Sequence, residues 1–124
     1  MKGQRTFRRI TLAELGAWQA QRPNALVLDA RDAASHAQNG WSGSVLLGRH
    51  NQDELLLRTT RRQPILIYCH HGNASQDLAQ MFADFGFTDV CDLIGGHTAW
   101  LSATATAKPS TKPSGPAITP ELAA

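Results

Sequence analysis

The chain has 124 residues, 42% of them hydrophobic and 18% charged, which is one small domain's worth of sequence with no room for a second. Two cysteines make at most one bridge, so a disulfide-stapled mini-domain is excluded, and no apolar run approaches the ~20 residues of a membrane span. Twelve Lys and Arg against ten Asp and Glu give a formal net charge of +2, too small and too scattered to announce a nucleic-acid partner.

The N-terminal stretch Met1 to Arg9 is basic but lacks the apolar segment of a signal peptide, which points to the cytoplasm, where thiols stay reduced. Its cluster of Lys2, Arg5, Arg8 and Arg9 reads as a solvated face, as does the central cluster Arg58, Arg61 and Arg62. Ile10 to Leu15 then reads as a helix start. Thr11 and Glu14 stand at capping-box spacing, Leu12, Leu15 and Trp18 share one face, and Arg22-Pro23-Asn24 ends the element. Ala25-Leu26-Val27-Leu28, closed by Asp29, is an unbroken apolar run of the kind expected for a strand covered on both faces. Val45-Leu46-Leu47 reads as a further strand and residues 51–60 as a helix around Leu55 and Leu56.

Ile65-Leu66-Ile67-Tyr68, opened by Pro64 and closed by Cys69, is the second clear apolar run, and residues 89–94 form a weaker third, closed by Gly95-Gly96. Between them Leu78, Met81, Phe82 and Phe85 form one helical stripe that Gly86 stops. A helix joining two buried strands implies a right-handed parallel crossover. The alternation therefore predicts an α/β fold, an open and mainly parallel sheet with helices on both faces. Residues 1–103 form the domain. The tail, 104–124, carries four of the six prolines and no aromatic residue, and cannot offset its ordering entropy by burial, so it reads as disordered.

Ligands of open parallel sheets gather beyond the carboxyl ends of the strands. Asp29 with Arg31, Cys69 to Ser75, and Gly95-Gly96 all fall at such ends. The middle segment, Cys69-His70-His71-Gly72-Asn73-Ala74-Ser75, leaves a buried strand and enters a helix, with Gly72 and Asn73 suited to a tight turn. Its amides, joined by the unpaired amides of the helix start, form an anion-binding nest, and a thiolate at its centre is a stabilised nucleophile. The expected targets are small oxyanions or their thio-analogues. Cys91, inside an apolar strand with no loop around it, reads as an inert core residue. One of His70 and His71 is expected to point into the pocket and the other to solvent, with the choice open. Asp29 and Arg31 read either as a brace for the loop's base or as a surface salt bridge.

The run Cys69 to Gln76 resembles the active-site loop of single-domain rhodaneses, the thiosulfate sulfurtransferases, and most closely the small bacterial type with a Cys-x-His-Gly-Asn loop. Leu28-Asp29-Ala30-Arg31 resembles the family's Leu-Asp-x-Arg segment, and Gly95-Gly96-His97-Thr98-Ala99-Trp100 its closing Gly-Gly-x-x-x-Trp. The three motifs stand in the family's order and cover roughly Ile10 to Leu101. Two features depart from it: Asn39 to Ser44 lacks the histidine of the family's Gly-His-Ile-Pro-Gly-Ala, and Ala74 stands where related loops carry Ser or Thr.

The resemblance implies a rhodanese-like five-stranded sheet and a double displacement through a Cys69 persulfide, with sulfur passing from thiosulfate to cyanide or a thiol. It implies a cradle of His70, His71, Gly72, Asn73, Ala74 and Ser75, supported by Asp29 and Arg31. No cofactor, metal, nucleic acid or membrane enters; a sulfur-donor or acceptor protein is a further candidate partner. The alternative is a persulfide carrier that relays sulfur between proteins with little thiosulfate:cyanide activity. A metal site is disfavoured because adjacent Cys-His-His side chains do not converge on one ion. A cysteine phosphatase needs an arginine six residues after its cysteine, and position 75 is serine.

Overall fold

The computed structural model describes residues 7–105. Ten elements alternate in order: β1 (Arg8–Ile10), α1 (Leu12–Ala20), β2 (Leu26–Asp29), α2 (Ala33–Asn39), β3 (Val45–Leu46), α3 (Gln52–Arg58), β4 (Ile65–Tyr68), α4 (Ala74–Asp84), β5 (Val90–Leu93) and α5 (Gly96–Ala105). The sheet has five strands in the order β1-β5-β4-β2-β3, and every pair is parallel.

Side chains alternate across the sheet and feed two cores. Val27, Leu66, Tyr68, Cys91 and Leu93 pack with Leu15 and Trp18 of α1 and Trp100 of α5 on one face. Leu28, Ile65, Ile67 and Val90 pack with Leu56 of α3 and Ala79 and Phe82 of α4 on the other. The apolar runs of β2 and β4 are thus covered on both sides, which is why they carry no polar alternation. The capping box of α1 forms as its sequence requires, with Thr11 accepting from the Glu14 amide and Glu14 accepting from the Thr11 amide.

Three elements depart from the sequence reading. β1 and α2 answer to no apolar pattern, and α5 extends through Thr104 and Ala105, the first two residues assigned to the tail; the rest of that tail lies outside the described residues. Phe85 does not extend the α4 stripe: it is 44% exposed. The chain turns at Gly86, and Phe87 takes the buried place instead, its ring 5.3 Å from that of Phe82. Among the described residues no helix is long and apolar enough to cross a membrane.

Candidate active site

The carboxyl ends of β2, β4 and β5 face one rim, and Cys69 lies there, directly after central strand β4. The residue is only 4% exposed. Its Sγ accepts hydrogen bonds from the amides of Gly72 and Ser75, each at 3.2 Å. Ser75 lies in the first turn of α4, where amides have no partner within the helix and the helix dipole is positive. The thiol donates to Ser75 Oγ at 3.4 Å, because the Ser75 hydroxyl spends its own proton on Asp92 Oδ2 at 2.8 Å.

The loop keeps this shape because neighbouring backbone holds it. The amides of His97 and Thr98, at the start of α5, donate to the carbonyls of Cys69 and His70 at 2.7 and 2.9 Å. Such close approach needs two glycines. Gly72 has φ +86° and Gly96 φ +60°; a Cβ on Gly96 would strike the Cys69 carbonyl and lie 2.8 Å from the Gly72 nitrogen.

The predicted site residues are brought together unevenly. Gly72 and Ser75 touch the sulfur. Asn73 and Ala74 are exposed at the α4 start. His70 and His71 both lie on the exposed rim, where His70 Nε2 is 3.3 Å from Asp32 Oδ1 and His71 Nδ1 is 3.2 Å from Thr98 Oγ1. Hydrogen bonds to Ser35, then to His70, hold the Asp32 carboxyl well below its usual range.

Asp29 and Arg31 are not at the surface: their side chains are 0% and 1% exposed and paired at 2.9 Å. Arg31 forks onto both carboxylate oxygens, His36 Nδ1 lies 3.0 Å from Oδ2, and the Tyr68 hydroxyl donates to Oδ2 at 2.9 Å. Burial pushes the Asp29 carboxyl up, but Arg31, His36 and Tyr68 more than offset that and leave it below the usual carboxylate value. Burial also pushes the Tyr68 phenol up to about 12, so it stays a donor. This network grips the residue immediately before Cys69. Trp41 completes it, stacking on the Tyr68 ring at 4.0 Å and donating its amide to the phenol oxygen.

Cys91 is wholly buried, and desolvation drives its thiol far up, away from ionisation. Among the described residues no His, Cys, Asp and Glu side chains cluster as a metal site would require. The sequence reading missed Arg9 and Asp92. Asp92 is 0% exposed and accepts a two-pronged bond from Arg9, at 2.9 and 3.1 Å. Arg9 also donates to the Gly72 carbonyl at 2.8 Å, so it is no solvated cation. The available signal was a carboxylate inside an apolar strand, since such a charge demands a partner.

Arranged in this way, a sulfur held by inward-facing amides suits chemistry that builds negative charge on or beside it. Residues 11–103 match the family described as Rhodanese-like domain. Thiosulfate sulfurtransferase GlpE of Pseudomonas fluorescens is 35% identical over 96 residues, 77% of this chain and 86% of that protein. Its counterpart from Pseudomonas paraeruginosa is 36% identical over 97 residues, 78% of this chain and 86% of that protein. Among solved structures, a rhodanese-related protein from Thermoplasma volcanium shares the fold, with a TM-score of 0.65 and 22% identity over 78% of this chain and 93% of that one.

Proposed function

This chain belongs to the rhodanese-like domain family, and on that footing we propose that it is a sulfurtransferase that takes sulfane sulfur from thiosulfate onto Cys69. The observation that carries the reading is the pair of amide bonds, from Gly72 and Ser75, received by a cysteine sulfur at the mouth of the sheet. The names of the GlpE relatives support the same reaction class.

In the first step the Cys69 thiolate attacks the outer sulfur of thiosulfate. A new S–S bond forms, the old one breaks, and sulfite leaves with the bonding pair, so Cys69 becomes a persulfide. In the second step a nucleophile, cyanide or a thiol, takes the terminal sulfur and returns Cys69 to the thiolate. Splitting the transfer predicts ping-pong kinetics. Hydrogen bonds to a charged group contribute roughly 1.5–3 kcal/mol each, and two fixed amides reach the sulfur without reorganising during the reaction. Neither His70 nor His71 has to remove a proton at attack, which fits their place on the rim.

The test is intact mass after mixing with thiosulfate, beside Cys69→Ser. Wild type is expected to gain one sulfur atom that cyanide removes, and the variant none. A gain that persists in Cys69→Ser refutes the assignment.

A further inference from the structure

Arg9 and Asp92 are direct cross-strand partners in the register of β1 and β5, and they reach the two residues that hold the sulfur by separate routes. Arg9 donates to the carbonyl of Gly72, and Asp92 accepts from the hydroxyl of Ser75. Gly72 and Ser75 are the residues whose amides point at Cys69 Sγ. We propose that Arg9 and Asp92 are a positioning pair for the Cys69 sulfur: they set the spacing of its two amide donors, and their opposed charges govern how readily it meets an anionic reactant.

The geometry supports both halves. Asp92 is buried, and its oxygens are taken by Arg9 and Ser75, so it is a fixed charge and not a solvated one. Two hydrogen bonds separate it from the sulfur. Arg9 is linked to the sulfur through Gly72, whose carbonyl it holds and whose amide donates to Sγ, and its side chain is 20% exposed. A carboxylate so close would repel thiosulfate or a persulfide terminus, and the neighbouring guanidinium cancels that field. A unit charge within about 6 Å of a poorly solvated group changes its electrostatics by tenfold or more in equilibrium terms. The fork is also specific to arginine: one planar group reaches a carboxylate and a carbonyl at once, which an ammonium does not do in the same geometry.

The inference rests on Cys69 being the reacting sulfur, and its test separates the two. Cys69 is alkylated with iodoacetate, an anion, and with iodoacetamide, its neutral analogue, and each rate is read by peptide mass at Cys69. The ratio of anionic to neutral rate reports local charge, whereas loosening of the loop moves both rates together. Arg9→Gln is expected to lower the ratio about tenfold and Asp92→Asn to raise it by a similar factor, with the double variant returning close to wild type. Arg9→Lys, which keeps the charge and loses the fork, is expected to keep the ratio while slowing thiosulfate loading, and it serves if Arg9→Gln does not fold. A ratio within twofold of wild type in both single variants, whatever the absolute rates, overturns the inference, as does an Arg9→Lys ratio as low as that of Arg9→Gln. A wild-type Cys69 that takes neither reagent nor sulfur overturns the functional reading, and the inference with it.

Discussion

His97 offers a quantitative test of how the rim is packed. It opens α5 after Gly96, is 3% exposed, and neither ring nitrogen has a hydrogen-bond partner among the described residues. Its ring lies 6.2 Å from that of Tyr68 and 5.5 Å from that of Trp100. Burial, reinforced by the charge of Arg31 and opposed by Asp29, lowers its pKa to about 4 from 6.5. The folded state therefore prefers the neutral ring, while the unfolded chain takes up a proton near pH 6.5. Stability is complete above that value, declines as pH falls, and levels off below about pH 4. At 1.36 kcal/mol per unit the full loss is about 3 kcal/mol, of which roughly 2 kcal/mol is gone by pH 5. His97→Leu removes this term and leaves every other titrating group in place. Urea unfolding followed by tryptophan fluorescence at pH 8 and pH 5 should show wild type losing about 2 kcal/mol more than the variant over that interval. Equal losses in the two proteins would refute the reasoning, because the buried imidazole would then carry no proton-linked cost.

Further outcomes follow from the same contacts. Gly96→Ala places a methyl group against the Cys69 carbonyl and the Gly72 nitrogen at a φ of +60°; we expect about 2–4 kcal/mol lost in urea unfolding and at least a tenfold fall in thiosulfate loading by mass, from strain and close contact together. Tyr68→Phe removes a donor to Asp29 and leaves the Trp41 amide without its acceptor, so the urea midpoint should drop by the equivalent of about 1–3 kcal/mol. Cys91→Ala should load sulfur to the same extent as wild type, since that thiol is buried within β5 and held un-ionised.

What sequence reveals here divides along a physical line. β2 and β4 are legible because both faces are covered, so an unbroken apolar run has one structural meaning. The Cys69 loop is legible because a thiol, a glycine and a helix start follow a buried strand in one short stretch. β1 gives no signal: of its three residues two are arginines, and it is a strand because β5 offers it an edge. α2 buries no side chain completely, so no stripe exists to detect; its Asp32 cap, bonded to the Ser35 amide, was the readable trace. The depth of the Asp29–Arg31 pair follows from Tyr68, which comes from elsewhere in the chain, bonds Asp29 and lies against the Arg31 guanidinium, with Trp41 stacked on the Tyr68 ring. Arg9 and Asp92 lie 83 positions apart, beyond any local pattern, and the lone acidic residue inside an apolar strand was the only hint of their meeting.

The backbone accounting of the loop explains why its amides are left for sulfur. A peptide group near the protein interior has to find a partner, and the carbonyls around Cys69 find theirs outside the loop. Those of Cys69 and His70 take the first amides of α5, and that of Gly72 takes Arg9 and Gln76. With these acceptors occupied from elsewhere, the inward amides of Gly72 and Ser75 have the Cys69 sulfur as the acceptor within reach. The cradle is thus a consequence of how the loop is held from three sides, by β1 and β5, by α5, and by the Asp29 network behind Tyr68. Loosening any of these holds should act on the chemistry even when the substituted side chain never touches sulfur.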